Sequence, residues 1–428
     1  MNQFTASLWG DEAWAATLAV KPIFQIIKIV AKDTSPPLYY LLLHGWMKIF
    51  GTSEIAIRSL SFLFFLGTVL TVYLIGKYLW DKKTSLIASL LTLVNPFLFA
   101  YAFEGRMYSL LVLASTLSVY FFLKKHRWGF ILATTAALYT HHFSLFVVIF
   151  EAIWKFKESW GKNLKQFVKN FSDFFIIGAL YLPWIYPLYY QTSLVGSGFW
   201  LGKPTAETLK ETLQKFLVGS GREILRQVAY WAIIAILVLR RWFEGGKKSI
   251  FLACWFFTPL ILTYLISQFF QSIFYDRYLL MTIPAVPLLI ASNRRKLSFI
   301  FIFMVIFCLG ILNYDYFSHP TKPPFRQLAN FIKLQAQDLP LINHNAAAHH
   351  LWESKYYGLQ APIYAPQSLP FYTGTALMEE GDVIRNLPEE KEIGVITSAR
   401  VEEVKIPGFH PLKVQQFGRL SFLWMAKD

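Results

Sequence analysis

SLWGDEAWAATLAV (Ser7–Val20), KPIFQIIKIVAK (Lys21–Lys32) and DTSPPLYYLLLHGW (Asp33–Trp46) run on from one another, and three carboxylates, Asp11, Glu12 and Asp33, stand in them among apolar residues. Between the acids, Lys21, Gln25, Lys28 and Lys32 recur at helical spacing, while Ile23, Phe24, Ile26, Ile27, Ile29 and Val30 fill the other positions. This pattern predicts a helix lying flat on a bilayer surface, wet along one stripe and apolar elsewhere. Pro36 and Pro37 stop it, since each removes a backbone donor and pushes its predecessor out of helical geometry. The two acidic ends are then held near the water boundary as the reactive pocket of a membrane enzyme. The plainer reading is a polar loop with a solvated Asp–Glu pair.

Outward from that stretch, the composition is that of a polytopic membrane protein. Hydrophobic residues are 55% of 428 and charged residues 16%, and the mean hydropathy is +0.40, values a water-soluble chain of this length does not normally show. Forty Phe and fourteen Trp suit bilayer interfaces and helix packing. The net charge of +15 is unevenly spread: residues 315–428 hold 11 Lys and Arg against 12 Asp and Glu, so the excess lies before them. There it clusters in short turns between apolar runs, which sets topology and forms no continuous basic face for nucleic acid. Cys254 and Cys308 both lie inside apolar runs, arguing neither a disulfide nor a metal.

A bilayer core takes about 20 apolar residues per helix. Spans are expected near 57–79, 84–102, 107–123, 128–141, 143–156, 171–190, 224–239, 250–270, 278–292 and 298–314. The basic turns Asp81-Lys82-Lys83, Lys124 to Arg127, Lys155 to Lys169, Arg240 to Lys248 and Arg294-Arg295-Lys296 belong on the cytoplasmic side. The opening stretch, Glu104–Arg106, His141–His142, 191–222, Asp276–Arg277 and the C-terminal tail then fall outside. Residues 1–20 lack the basic start and apolar core of a signal peptide. The tail, with strand-like GVIT and LSFLWMA and helix-like FRQLANFIKLQA, predicts a small α/β domain over 315–428, and nothing in it stands out as catalytic.

Further candidates sit at expected outer edges. Glu104 and Arg106, in EGRMY, are costly at a membrane boundary unless functional or simply paired with each other. His141 and His142 are adjacent and so point to different sides of a helix; they lack the i, i+4 spacing of a metal pair, and one of them touching substrate is the better reading. Arg277, in FYDRYLL, offers a planar fork for a lipid phosphate, or else is a snorkelling anchor beside the belt residue Tyr278.

The order DEAW, DTSPPLYYLLLHGWMKIFG, SEIAIRSLS, FEGRMYSL, LYTHHF and DRYLL resembles the GT-C superfamily of membrane glycosyltransferases, in particular the family 39 and 83 group that includes protein O-mannosyltransferases and the aminoarabinose transferase of lipid A. The resemblance covers roughly residues 7–290. It implies an all-α polytopic membrane protein, a GT-C-like transmembrane helix bundle over 1–314 whose first outer loop, 1–56, carries the amphipathic helix, with the small extracytoplasmic α/β domain following. It also implies transfer of a sugar from a polyprenyl-phosphate carrier to an acceptor, whether lipid, glycan or protein, on the outer side of the cell membrane. By similarity Asp11 is the catalytic carboxylate with Glu12 beside it. Arg106 and Arg277 take the carrier phosphate, and Asp33, Tyr39, Arg58, Glu104, Tyr108, His141, His142 and Tyr278 complete the substrate site. A divalent metal ion held by Asp11 and Glu104 is the one cofactor it allows. The chain departs from the family in having Ser35 where many relatives carry His before the two prolines, and Met1 only ten residues before Asp11 where they carry a membrane helix. With no nucleotide-sugar motif or phosphate-cradling glycine loop on the cytoplasmic side, a donor already on lipid fits the sequence. The alternative is a transporter or flippase of the same lipid-linked sugar, and a weaker one a membrane scaffold.

Overall fold

The computed structural model describes residues 1–428 except 162, 197–199, 240–245, 293–295, 345–348, 367–368 and 370–373. The expected basic turns at Arg240–Lys248 and Arg294–Lys296 fall partly outside the described residues.

The opening stretch folds into three helices, of which the spacing predicts the middle one. Helix α1, Gly10–Ala19, starts with Asp11 and Glu12 in its first turn, where the partial positive charge of a helix N-terminus favours acids. Its buried alanines, Ala13, Ala15, Ala16 and Ala19, allow close packing. Pro22 opens α2, Ile23–Val30, the amphipathic helix the spacing predicts. Ile26 and Val30 are buried while Phe24 (77% exposed) and Ile23 (54%) point away from the protein, the apolar surface an interfacial helix gives to lipid. After Pro36 and Pro37 comes α3, Leu38–Phe50.

Helix α4, Glu54–Leu79, has 26 residues, about 39 Å at 1.5 Å per residue and enough to cross a hydrocarbon core. It meets α5, Lys82–Leu93, so closely that a Cβ on Gly76 would lie 2.8 Å from the Ser85 Cα. The span expected at 84–102 is not straight: α5 and α6, Pro96–Ala102, are bent by 62°. Asn95 makes the break, its carboxamide oxygen accepting from Leu98 N at 3.0 Å while its Nδ2 donates to the Phe216 carbonyl at 2.8 Å.

Next come α7, Tyr108–Lys124, α8, Arg127–Thr140, and α9, Leu145–Ser159. Helices α10, Leu164–Tyr181, and α11, Ile185–Gly196, follow, joined through a 3-10 turn at Pro183. Then come α12, Ala206–Val218, α13, Glu223–Leu239, and α14, Gly246–Phe269. The span expected at 278–292 is a 3-10 segment, Asp276–Thr282, and a short helix α15, Ala285–Ala291, with Pro284 standing between them. Helix α16, Lys296–Ser318, ends the apolar part. Among the described residues four helices are long and apolar enough to cross a membrane, or five with the bent pair as one span. The chain is a multi-pass membrane protein.

The tail carries α17, Phe325–Gln335, β1, Leu341–Asn343, α18, His349–Tyr356, β2, Ile363–Tyr364, β3, Val383–Ile384, β4, Glu392–Thr397, β5, Phe409–Phe417, and β6, Leu420–Lys427. The sheet order is β3-β2-β1-β4-β6-β5, parallel from β3 to β4 and antiparallel beyond. GVIT lies in β4, LSFLWMA in β6 and FRQLANFIKLQA on α17, so the small α/β domain is as the sequence predicts. Phe325, Leu328 and Ile332 of α17 pack with Ile396 and Phe422 in one core cluster, while Ile342, Val395 and Leu423 pack under Val404, Ile406 and Phe409 in another.

By contacts the chain forms two units. One comprises residues 1–34, 40–57 and 319–428, the other 35–39 and 58–318. Within the first, α1 packs on α18.

Candidate active site

In the helical unit, the turn between α6 and α7 carries Glu104-Gly105-Arg106, tightened by a bond from Arg106 N to the Glu104 carbonyl at 2.7 Å. The Ser61 hydroxyl donates to the Arg106 carbonyl at 3.4 Å and lies 3.2 Å from the Tyr39 hydroxyl, so Tyr39 and Arg106 meet through α4. Arg58, one helical turn before Ser61, is fully buried. Arg277 leaves the 3-10 segment 276–282 with its guanidinium over three rings, 4.7 Å from the centroid of Tyr275, 5.6 Å from Tyr108 and 5.8 Å from Tyr278. The ring of Tyr278 meets that of His141 at 4.8 Å and that of Phe143 at 5.0 Å. Both Arg106 and Arg277 are near enough to His141 to act on its charge, and Glu104 and Arg277 near enough to Tyr101. Asp276 accepts from Lys215 at 2.9 Å and binds the Arg277 amide at 2.7 Å, fixing the backbone under the arginine.

Eight of the expected site residues therefore gather in this unit: Tyr39, Arg58, Glu104, Arg106, Tyr108, His141, Arg277 and Tyr278. His142 faces elsewhere, as two adjacent histidines should. Its Nδ1 meets the Tyr181 hydroxyl at 3.0 Å and its Nε2 the Gln191 side-chain oxygen at 2.7 Å, while Gln191 donates to the Ser35 carbonyl at 3.4 Å. That chain of bonds ties α10 and α11 to the Ser35-Pro36-Pro37 turn. Arg277 can hold a phosphate, since a guanidinium suits its oxygens and the three rings around it restrict its orientation.

In the other unit, Asp11 is half-buried in the first turn of α1. Glu12 is fully buried, its Oε2 accepting from Lys322 Nζ at 3.0 Å and from Trp9 N at 3.4 Å. Nothing in the sequence marks Lys322, which lies 310 residues from its partner. The stretch around Asp11 is fastened at several further points. Arg326 reaches Glu54 at 3.2 Å and the Thr5 carbonyl at 2.8 Å, and Lys21 reaches Glu379 at 2.7 Å. The Lys21 ammonium holds the Glu379 carboxyl below its usual range. Gly374, at φ +80°, accepts from the Trp14 indole at 3.4 Å, and a Cβ there would sit 2.8 Å from that ring. Asp33 is half-buried just after α2.

Tyr357 is the central fastener: its hydroxyl accepts from Leu8 N and donates to Glu54 Oε1, both at 2.9 Å. Burial, and then the Glu54 carboxylate, push that hydroxyl well above its usual value, so it stays protonated and keeps donating. Tyr357→Phe removes both bonds while keeping the ring, and is expected to lower stability by about 1–3 kcal/mol, read as a lower midpoint of thermal unfolding in detergent. An unchanged midpoint contradicts this role.

Among the described residues no three or more His, Cys, Asp or Glu come together as a metal-ligand set. The described residues, the expected pair Asp11 and Glu104 included, therefore do not fit a closed metal site.

Residues 34–186 match the family described as dolichyl-phosphate-mannose-protein mannosyltransferase. No curated protein matches the chain. Among solved structures, the chain is similar to ArnT from Cupriavidus metallidurans in the apo state (TM-score 0.67, 12% identity, covering 98% of this chain and 94% of that one). It is also similar to the same protein bound to undecaprenyl phosphate (TM-score 0.65, 11% identity, 98% and 94%). A further likeness is to the oligosaccharyltransferase AglB from Archaeoglobus fulgidus, in complex with an inhibitory peptide and a dolichol-phosphate (TM-score 0.54, 12% identity, 92% and 66%). The chain thus shares the fold of ArnT and AglB, and the segment 34–186 carries the family's pattern.

Proposed function

We propose that this protein transfers a sugar from a polyprenyl-phosphate carrier to an acceptor at the extracytoplasmic face of the cell membrane. The observation that carries the reading is the Arg277 guanidinium held against three tyrosine rings, one of which meets the His141 ring. Undecaprenyl phosphate in ArnT and dolichol-phosphate in AglB support a lipid phosphate as its ligand. The basic turns between apolar runs support the orientation, with the tail outside. The catalytic part is proposed to span 1–314, with 315–428 as the outer domain.

The reaction is a single displacement with inversion at the anomeric carbon. Asp11 accepts the proton of the acceptor's hydroxyl or amine as that atom attacks the sugar. Arg277 and Arg106 balance the charge that grows on the departing lipid phosphate. Glu12, held by Lys322, keeps the first turn of α1 in place beneath Asp11. In the helical unit Tyr39, Tyr108, His141 and Tyr278 line the sugar's side of the site and Arg58 and Glu104 complete it, while Asp33 is assigned to substrate by the resemblance alone.

Loss of one preorganised donor at a developing anion costs about 10²–10³ in rate. Arg277→Ala is expected to lose that much sugar transfer, and Arg277→Lys to recover only part, because an ammonium is a point charge without the planar fork that stacks on rings. Full activity in Arg277→Ala removes the phosphate assignment.

The bent pair α5–α6 favours a second reading, since broken helices are frequent in transporters. Reconstitution into vesicles with radiolabelled polyprenyl-phosphate sugar and an envelope extract as acceptor separates the two. Label on acceptor material supports transfer, and label that crosses the bilayer still joined to its lipid supports a flippase.

A further inference from the structure

The small α/β domain contains a serine, a histidine and a glutamate in line. The Ser398 hydroxyl is 3.0 Å from His350 Nε2, and His350 Nδ1 is 2.8 Å from Glu353 Oε2. Glu353 is 2% exposed and His350 6%, whereas Ser398 is open to solvent. An ionised carboxylate only accepts hydrogen bonds, so Nδ1 carries the proton given to Glu353 and the lone pair on Nε2 is aimed at the serine hydroxyl. Nucleophile, base and orienting acid thus stand in the relation that activates a serine.

The fold places this group where open α/β sheets put their reactive side chains. Strands β1 and β4 are parallel neighbours, with Asn343 opposite Ile396, and His344 N bonds the Ile396 carbonyl at 2.9 Å. Ser398 follows β4 directly, while His350 and Glu353 are in the helix after β1, so all three stand at the carboxyl ends of adjoining strands. There the connections diverge: β1 leads into α18, and β4 into the segment that carries Val404 and Ile406 over Ile342 and Val395. Ends of neighbouring strands with diverging connections are where open α/β sheets carry their ligand sites. The ring of Phe325, 5.9 Å from that of His350, flanks the base. Thr397 Oγ1 accepts from Ala399 N at 3.0 Å and fixes the turn on which Ser398 sits.

We propose that Ser398, His350 and Glu353 form a second reactive centre, independent of sugar transfer, that takes acyl groups from small esters. The Ser398 oxygen attacks the carbonyl carbon as its proton passes to His350 Nε2. The bond to the ester's alcohol oxygen then breaks, and that oxygen leaves with the proton, giving an acyl-serine and an alcohol. Water attacks the acyl-serine, again giving its proton to His350, and the serine regains its hydrogen as the acid departs. Because the Ala399 amide is committed to Thr397, it does not serve the oxyanion, and slow turnover follows. Covalent capture is therefore the sharper readout.

A fluorophosphonate probe tests this on the full-length protein in detergent. The serine oxygen bonds to phosphorus and fluoride is expelled. Mass spectrometry is expected to find the adduct on Ser398 in the wild type and no adduct there in Ser398→Ala. The labelling rate is expected to fall at least about a hundredfold in His350→Gln. Glu353→Gln provides a second variant, each being checked for an unchanged unfolding midpoint. No adduct on Ser398 in the wild type overturns the proposal, as does a rate indifferent to His350→Gln, which leaves the three residues a structural clamp. Neither outcome bears on sugar transfer, which is measured separately.

Discussion

Asp11→Asn is expected to reduce sugar transfer by about 10²–10⁴-fold, the usual contribution of a positioned general base. The substitution keeps the shape of the side chain and removes its capacity to take a proton. Asp11 sits in the first turn of α1 and is half-buried. Donor binding should survive, because the phosphate is assigned to Arg277 and Arg106 rather than to α1. The signature is thus a loss of turnover with donor affinity retained, measured by comparing binding of labelled polyprenyl phosphate with the rate of transfer. An equal loss of both contradicts the assignment and makes Asp11 a structural residue.

The second large effect concerns stability. Glu12 is fully buried and its carboxylate is 3.0 Å from Lys322, itself 11% exposed. Removing one partner of a buried ion pair leaves the other charge in a medium that solvates it poorly, a loss of about 3–5 kcal/mol. Lys322→Met is expected to show it as a markedly lower unfolding midpoint in detergent. The double variant with Glu12→Gln should recover most of the loss, since no uncompensated charge then remains. Two independent losses that simply add would show that the pair does not act as a unit.

The sequence revealed what local pattern encodes. Helical spacing gave α2 between Lys21 and Lys32, and the runs FRQLANFIKLQA, GVIT and LSFLWMA gave α17, β4 and β6. Motif order gave the GT-C fold. Asn95-Pro96 is a helix-start signal, but the apolar residues on both sides outweigh it, so the pattern predicts one span across the bend between α5 and α6. Likewise Pro284 and Pro287 break up the stretch at 278–292. The ring cage of Arg277 was partly legible, since Tyr278 adjoins it in FYDRYLL and Tyr108 follows EGRM, yet only the fold shows that they meet. Lys322 and Ser398 were invisible for the same reason: their partners are 310 and 48 residues away, and no periodicity spans such distances. The pair His350 and Glu353 does show helical spacing, but without its serine it reads as a surface helix.

A donor labelled with one isotope in the sugar and another in the phosphate tests the transfer reading most directly, in wild type and Asp11→Asn side by side. Wild type is predicted to part the two labels, leaving polyprenyl phosphate behind and the sugar on the acceptor with its anomeric configuration inverted, while Asp11→Asn binds the donor and keeps the labels together. Labels that stay joined in the wild type, or part equally fast in both proteins, would contradict the account.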